Sequence, residues 1–154
     1  MRGGAGAWRR AVVAALLFHA DALPIAANGD AARFVRVAMR DISGKTGRVV
    51  KTVEVLPDGV ALLKDGADKT LATARLAPAD VAAFHQLLAD PAALGGTPEC
   101  GTPMGADLPS ADLVVEQPMR TVVVKVERHC RLPAPLDRLR VLLENVERKY
   151  LSRR

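Results

Sequence analysis

From Phe34 onward, apolar and polar residues alternate along the chain. Val35, Val37 and Met39 are interleaved with Arg36, Ala38 and Arg40, and Val53 and Val55 with Thr52 and Glu54. Successive side chains on a strand point to opposite faces, so this alternation predicts two strands, about Phe34 to Arg40 and Val49 to Leu56, each with one apolar face. Leu56-Pro-Asp-Gly59 and Asp65-Gly66 are turn sequences. They return the chain as a third strand at Val60–Leu63 and a fourth at Thr70–Leu76, an antiparallel meander.

The period then changes. Pro78 stands where a helix begins, Val81, Phe84 and Leu88 recur at helical spacing, and Pro91 closes the segment. Residues 91–110 are dense in Pro and Gly and have no period, which predicts a loop. Beyond it, Leu113 and Val115 face Val122, Val124 and Val126 across a Gln117-Pro118 turn, a β-hairpin. From Pro135 on, Leu136, Leu139, Leu143, Val146 and Tyr150 fall on one stripe and predict an amphipathic closing helix. The expected fold class is α+β: an antiparallel β-sheet of about five to six strands, meander then hairpin, with two helices packed on one face. Nothing local decides whether the hairpin extends the meander or forms a neighbouring sheet.

Composition adds a compartment. The chain has 154 residues, 49% hydrophobic and 3% aromatic. That length predicts one domain, with a core of Val, Leu and Ala. Residues 1–27 fall outside the fold reading: Arg2, Arg9 and Arg10 precede the apolar run Ala11–Phe18, which is too short to span a bilayer, and small residues follow. This is the pattern of a signal peptide, with cleavage expected after Ala22 or Ala27, leaving 28–154 as a single small domain. No cysteine adjoins either site, so no lipid anchor and no stable membrane insertion after cleavage are expected. The expected location is secreted or periplasmic.

The two cysteines, Cys100 and Cys130, would then meet an oxidising compartment, and a disulfide is the natural inference. A zinc site of Cys100, His129 and Cys130 is the sharper alternative. It is disfavoured because neighbours on an extended segment point to opposite faces and no C-x-x-C pair supports it. The chain carries net charge +5 at pH 7, but a leader containing Arg2, Arg9, Arg10 and Asp21 accounts for part of that. Basic residues gather near the C-terminus, at Arg138, Arg140, Arg148, Lys149, Arg153 and Arg154. They complement a helix dipole and lack interleaved aromatics, so nucleic acid is not an expected partner.

Gly44-Lys45-Thr46 spells the end of a phosphate-binding loop, but Met39 stands where the first glycine is required, and a strand pattern follows where a helix should begin. Asp41–Gly47 reads instead as a hairpin loop. Catalytic sets are equally thin. His85 borders a helical stripe, Ser43 and Ser110 lie in no nucleophile motif, Asp65 and Asp68 belong to a turn, and Glu144 and Glu147 to a solvated helix face. No enzyme activity, metal or cofactor is expected.

The segment Arg40-Asp-Ile-Ser-Gly-Lys-Thr-Gly47, the helix start Leu76-x-Pro-x-Asp80, a Pro/Gly-rich linker, a β-hairpin and Leu132-Pro-Ala-Pro-Leu136 follow one another over most of the chain after the leader. This layout resembles the emfourin-type small protein inhibitors of thermolysin-like metalloproteases. The resemblance implies protein binding through N-terminal loops. Read on its own residues, the Asp41–Gly47 loop offers an apolar Ile42 with Ser43 and Gly44, and charge at Lys45 and Arg48. The alternative for Ile42 is that it folds back onto the sheet. The expected function is a small exported non-enzymatic protein-binding module of inhibitor-like character, with a protease among the candidate partners, acting as a monomer or weak dimer. A structural or envelope-associated domain with no soluble target is the alternative.

Overall fold

A computed structural model describes residues 34–103, 105 and 107–152; the expected leader and both cleavage sites lie outside them. The four meander strands are β1 (Arg36–Ile42), β2 (Val49–Val55), β3 (Val60–Asp65) and β4 (Thr70–Arg75). Helix α1 (Pro78–Ala89) follows, and then a 3-10 turn (Pro91–Leu94) and a two-residue strand β5 (Glu99–Cys100) lie within the Pro/Gly segment. The hairpin is β6 (Ser110–Gln117) with β7 (Arg120–Glu127). A second short strand, β8 (Cys130–Arg131), precedes helix α2 (Ala134–Val146), which widens into a π-helical turn at Glu147–Leu151.

The hairpin extends the meander. β6 pairs antiparallel with β1 from Arg36↔Glu116 to Ile42↔Ser110, giving one six-stranded antiparallel sheet in the order β4-β3-β2-β1-β6-β7. β5 and β8 make a separate two-stranded ladder. The apolar alternation works in register: Val37 lies opposite Val55 and Val115, and Met39 opposite Val53 and Leu113. These six residues form one buried cluster with Phe84 and Leu88 of α1 and Leu139, Leu143 and Val146 of α2. Burying such side chains stabilises the fold by roughly 1.5–3 kcal/mol each before entropy is counted. Central placement lets β1 bury more than its alternating face: Ala38, between Glu54 and Val114, is also buried.

Two local features shape the core. At Gly59, φ is +84° and a Cβ would stand 2.7 Å from Val81 Cγ2, so only glycine lets the β2–β3 turn seat against α1. At the end of α2, the π turn places Leu151 rather than Tyr150 in the core. Tyr150 turns outward at its hydroxyl, which accepts from the Ala77 amide at 3.1 Å and donates to Asp80. Lys149 reaches the same carboxylate at 2.8 Å, so the end of the closing helix is tied to the first turn of α1. Among the described residues, no helix is long and apolar enough to cross a membrane.

Candidate functional site

One end of the six-stranded sheet carries the connections that the sequence marks as interesting. The β1–β2 loop, the β3–β4 turn, the Pro/Gly segment entering β6 and the β7–β8 turn all leave from it. The β1–β2 loop is closed by backbone bonds from Ser43 to Arg48 (3.0 Å) and from Gly47 to Ser43 (2.8 Å), with Ser43 Oγ accepting from the Thr46 amide. A strand follows it, so there is no helix N-terminus to hold a phosphate.

The five loop residues divide into two groups. Ile42 is a strand residue, paired with Val49 on one side and Ser110 on the other and half-buried, which matches the folded-back alternative. A register shift beside it skips Val50, which is left exposed. Ser43 is also half-buried and takes part in the loop's own hydrogen bonds. Gly44 does not have a positive φ; its lack of a side chain matters because a Cβ would stand 1.9 Å from the Asp107 carbonyl oxygen. The loop is thus pressed against the Pro/Gly segment. Lys45 and Arg48 are exposed on the turn, and neither has an ion-pair partner among the described residues.

Beside this loop cluster lies a cleft of about 1080 Å³ between the sheet end, β8 and α2. Two ion-pair triads line it. Lys51 Nζ lies 2.9 Å from Asp41 and 2.6 Å from Glu147, and Arg140 bonds both Asp137, at 2.7 Å, and Glu144. Burial lowers the Lys51 pKa, and hydrogen bonds to Glu147 and Asp41 more than offset it, so the ammonium titrates above the ordinary lysine value. The sequence missed this cleft. Its walls come from strands and a helix far apart in the chain, and Glu144 and Glu147, read as a solvated face, are members of the two triads.

The disulfide closes the same corner. Cys100 and Cys130 lie directly opposite each other on the β5–β8 ladder and are bonded. His129 sits in the turn before β8 and not on an extended segment, so its side chain is not forced to the face opposite Cys130. A ring nitrogen of His129 comes within 4.8 Å of both sulfurs. Its Nε2 lies 3.3 Å from Glu127, while its Nδ1 is buried with no hydrogen-bond partner among the described residues.

The remaining candidates occupy structural positions. His85 bonds the Pro57 carbonyl at 3.2 Å and packs against Phe34. Asp65 accepts from the amides of Ala67 and Lys69, each at 2.9 Å, and Asp68, at φ +64°, pairs with Lys64. Among the described residues, neither Ser43 nor Ser110 has a hydrogen bond to a histidine. Compared with protein-family models, curated proteins and solved structures, the chain matches none.

Proposed function

We propose that this chain is a small exported, non-enzymatic protein-binding module, inhibitor-like in its mode of action, that presents the loop-bearing end of its sheet to a protein partner. The observation that carries this reading is the convergence of the Lys45/Arg48 turn and the Pro/Gly segment, in contact at Gly44 and Asp107, beside a disulfide that joins the Pro/Gly segment to the β7–β8 region. Loops fixed on a rigid scaffold lose little entropy on binding, and exposed cations at their tip supply orientation and selectivity. In this reading both helices serve as backing, which is supported by their buried residues sharing one cluster with the alternating Val37, Met39, Val53 and Val55. Export is supported by the basic and apolar pattern of the first 27 residues and is compatible with the disulfide. The chain works as a monomer or weak dimer without a cofactor, and nucleic acid is not its partner.

A protease panel tests the reading. Titrated into thermolysin-like and trypsin-like enzymes, the oxidised chain should suppress peptide hydrolysis by at least one of them with a stoichiometric end point, and should itself survive uncleaved. Full residual activity across the panel at excess chain would remove the inhibitor-like character. Failure of the isolated chain to bind any intact protease would then remove that class of partner.

A further inference from the structure

The geometry points to a redox-gated metal site at Cys100, His129 and Cys130: oxidised, the corner is a disulfide; reduced, it is a three-ligand site for a soft divalent cation, Zn²⁺ above all. Three features carry this. The two cysteines are direct cross-strand partners, so reduction leaves two sulfurs facing each other on the same ladder. A ring nitrogen of His129 already lies within 4.8 Å of both, and a tetrahedral zinc centre, with bonds of about 2.0–2.3 Å to nitrogen and sulfur, needs only small movements from there. The two ring nitrogens are also placed unequally: Nε2 lies 3.3 Å from Glu127, while Nδ1 is buried and unpartnered among the described residues, which leaves it open to a metal. A carboxylate behind a ligating histidine is the common second partner that fixes its tautomer and orientation. Glu127 is itself held by Lys125 at 2.7 Å.

A dithiol reductant attacks the exposed Cys100 sulfur, breaking the Cys100–Cys130 bond and passing through a mixed disulfide; the dithiol closes to its own disulfide, having given up two electrons and two protons. Each cysteine thiol then releases its proton to solvent as its sulfur–metal bond forms. His129 binds through the lone pair of Nδ1, and water fills the fourth position. Reoxidation by a small-molecule disulfide re-forms the Cys100–Cys130 bond and expels the cation, the oxidant taking the two electrons from the thiolates and two protons from solvent as it is cleaved to its thiols. This inference stands apart from the protein-binding reading.

The test uses the full mature chain, oxidised or reduced with a phosphine and freed of metal. With Co²⁺ as the probe, the reduced chain should bind one ion and show the thiolate charge-transfer and visible bands of a tetrahedral centre, and the oxidised chain should show neither. With Zn²⁺ against a chromophoric chelator, His129→Ala and Cys100→Ser should each bind at least about tenfold more weakly than the reduced wild type, and Glu127→Gln about tenfold more weakly. If reduction alone loosens the fold, Zn²⁺ should restore the native circular dichroism spectrum. Equal affinity of the oxidised and reduced chains, an unaltered affinity in His129→Ala, absence of tetrahedral bands, or failure of Zn²⁺ to restore a loosened fold would each overturn the site.

Discussion

A methyl group at Gly44 would stand 1.9 Å from the Asp107 carbonyl oxygen and 2.5 Å from the Leu108 carbonyl carbon, and backbone cannot step aside as a side-chain tip can. Gly44→Ala should therefore push the two loops apart, costing about 1–3 kcal/mol in urea denaturation and raising amide exchange at residues 107–109. Gly47 makes the contrasting control. Its φ is +65° with nothing within 4 Å of an added Cβ, so Gly47→Ala should cost only about 1 kcal/mol, from backbone strain, and leave the Pro/Gly segment protected. Equal costs and equal exchange in the two variants would show that the loops do not bear on each other. Asp80 gives a pH dependence. Hydrogen bonds from Lys149 first and Tyr150 second hold its pKa below the ordinary 3.8. The stabilisation is thus present in full above that value and lost as pH falls through the lower folded value. Asp80→Asn should flatten the acid end of the stability curve in that window and leave the slope near neutrality unchanged, as read from thermal midpoints across pH.

Elements with a strict local period were legible in the sequence, and those created by long-range contact were not. Alternation at Val53 and Val55 and helical spacing at Phe84, Leu88, Leu136, Leu139 and Leu143 identified strands and helices, because burial enforces those periods in the chain itself. The union of β1 with β6 leaves no such mark, since either edge of a meander can accept a hairpin. Tyr150 was placed on the α2 stripe by regular spacing from Val146; the π turn lengthens that interval by one residue and gives the buried position to Leu151. Of the loop proposed for binding, the exposure of Lys45 and Arg48 followed from turn chemistry. For Ile42 the sequence leaves open both the turn and a fold-back onto the sheet; the β1 ladder continues through it to meet Ser110, which matches the second. The disulfide was legible from the even cysteine count together with the expected leader. It joins residues 30 apart, so Cys100→Ser with Cys130→Ser should cost about 3–4 kcal/mol in urea denaturation relative to the oxidised wild type. An unchanged midpoint would mean the β5–β8 corner adds nothing to global stability.

At the scale of the whole molecule, the sheet has two unlike ends. One carries the Lys45/Arg48 turn, the Pro/Gly segment, the disulfide and the cleft; the other carries the tight turns at Leu56–Gly59 and Pro118–Met119. Binding through the first end makes a polarity prediction that no loss of folding can imitate, provided the variants are exposed and thermally intact. Arg120 offers the matched control, since it is exposed at the second end and its side chain bonds only Gln117 among the described residues. The decisive measurement is the affinity of the oxidised chain for whichever protease the panel identifies, compared among wild type, Lys45→Glu with Arg48→Glu, and Arg120→Glu at one salt concentration. The double reversal should weaken binding by at least about tenfold, or ~1.4 kcal/mol, with Arg120→Glu within error of wild type. Equal affinity of all three, or a larger loss in Arg120→Glu, would contradict the assignment of the loop-bearing end as the binding surface.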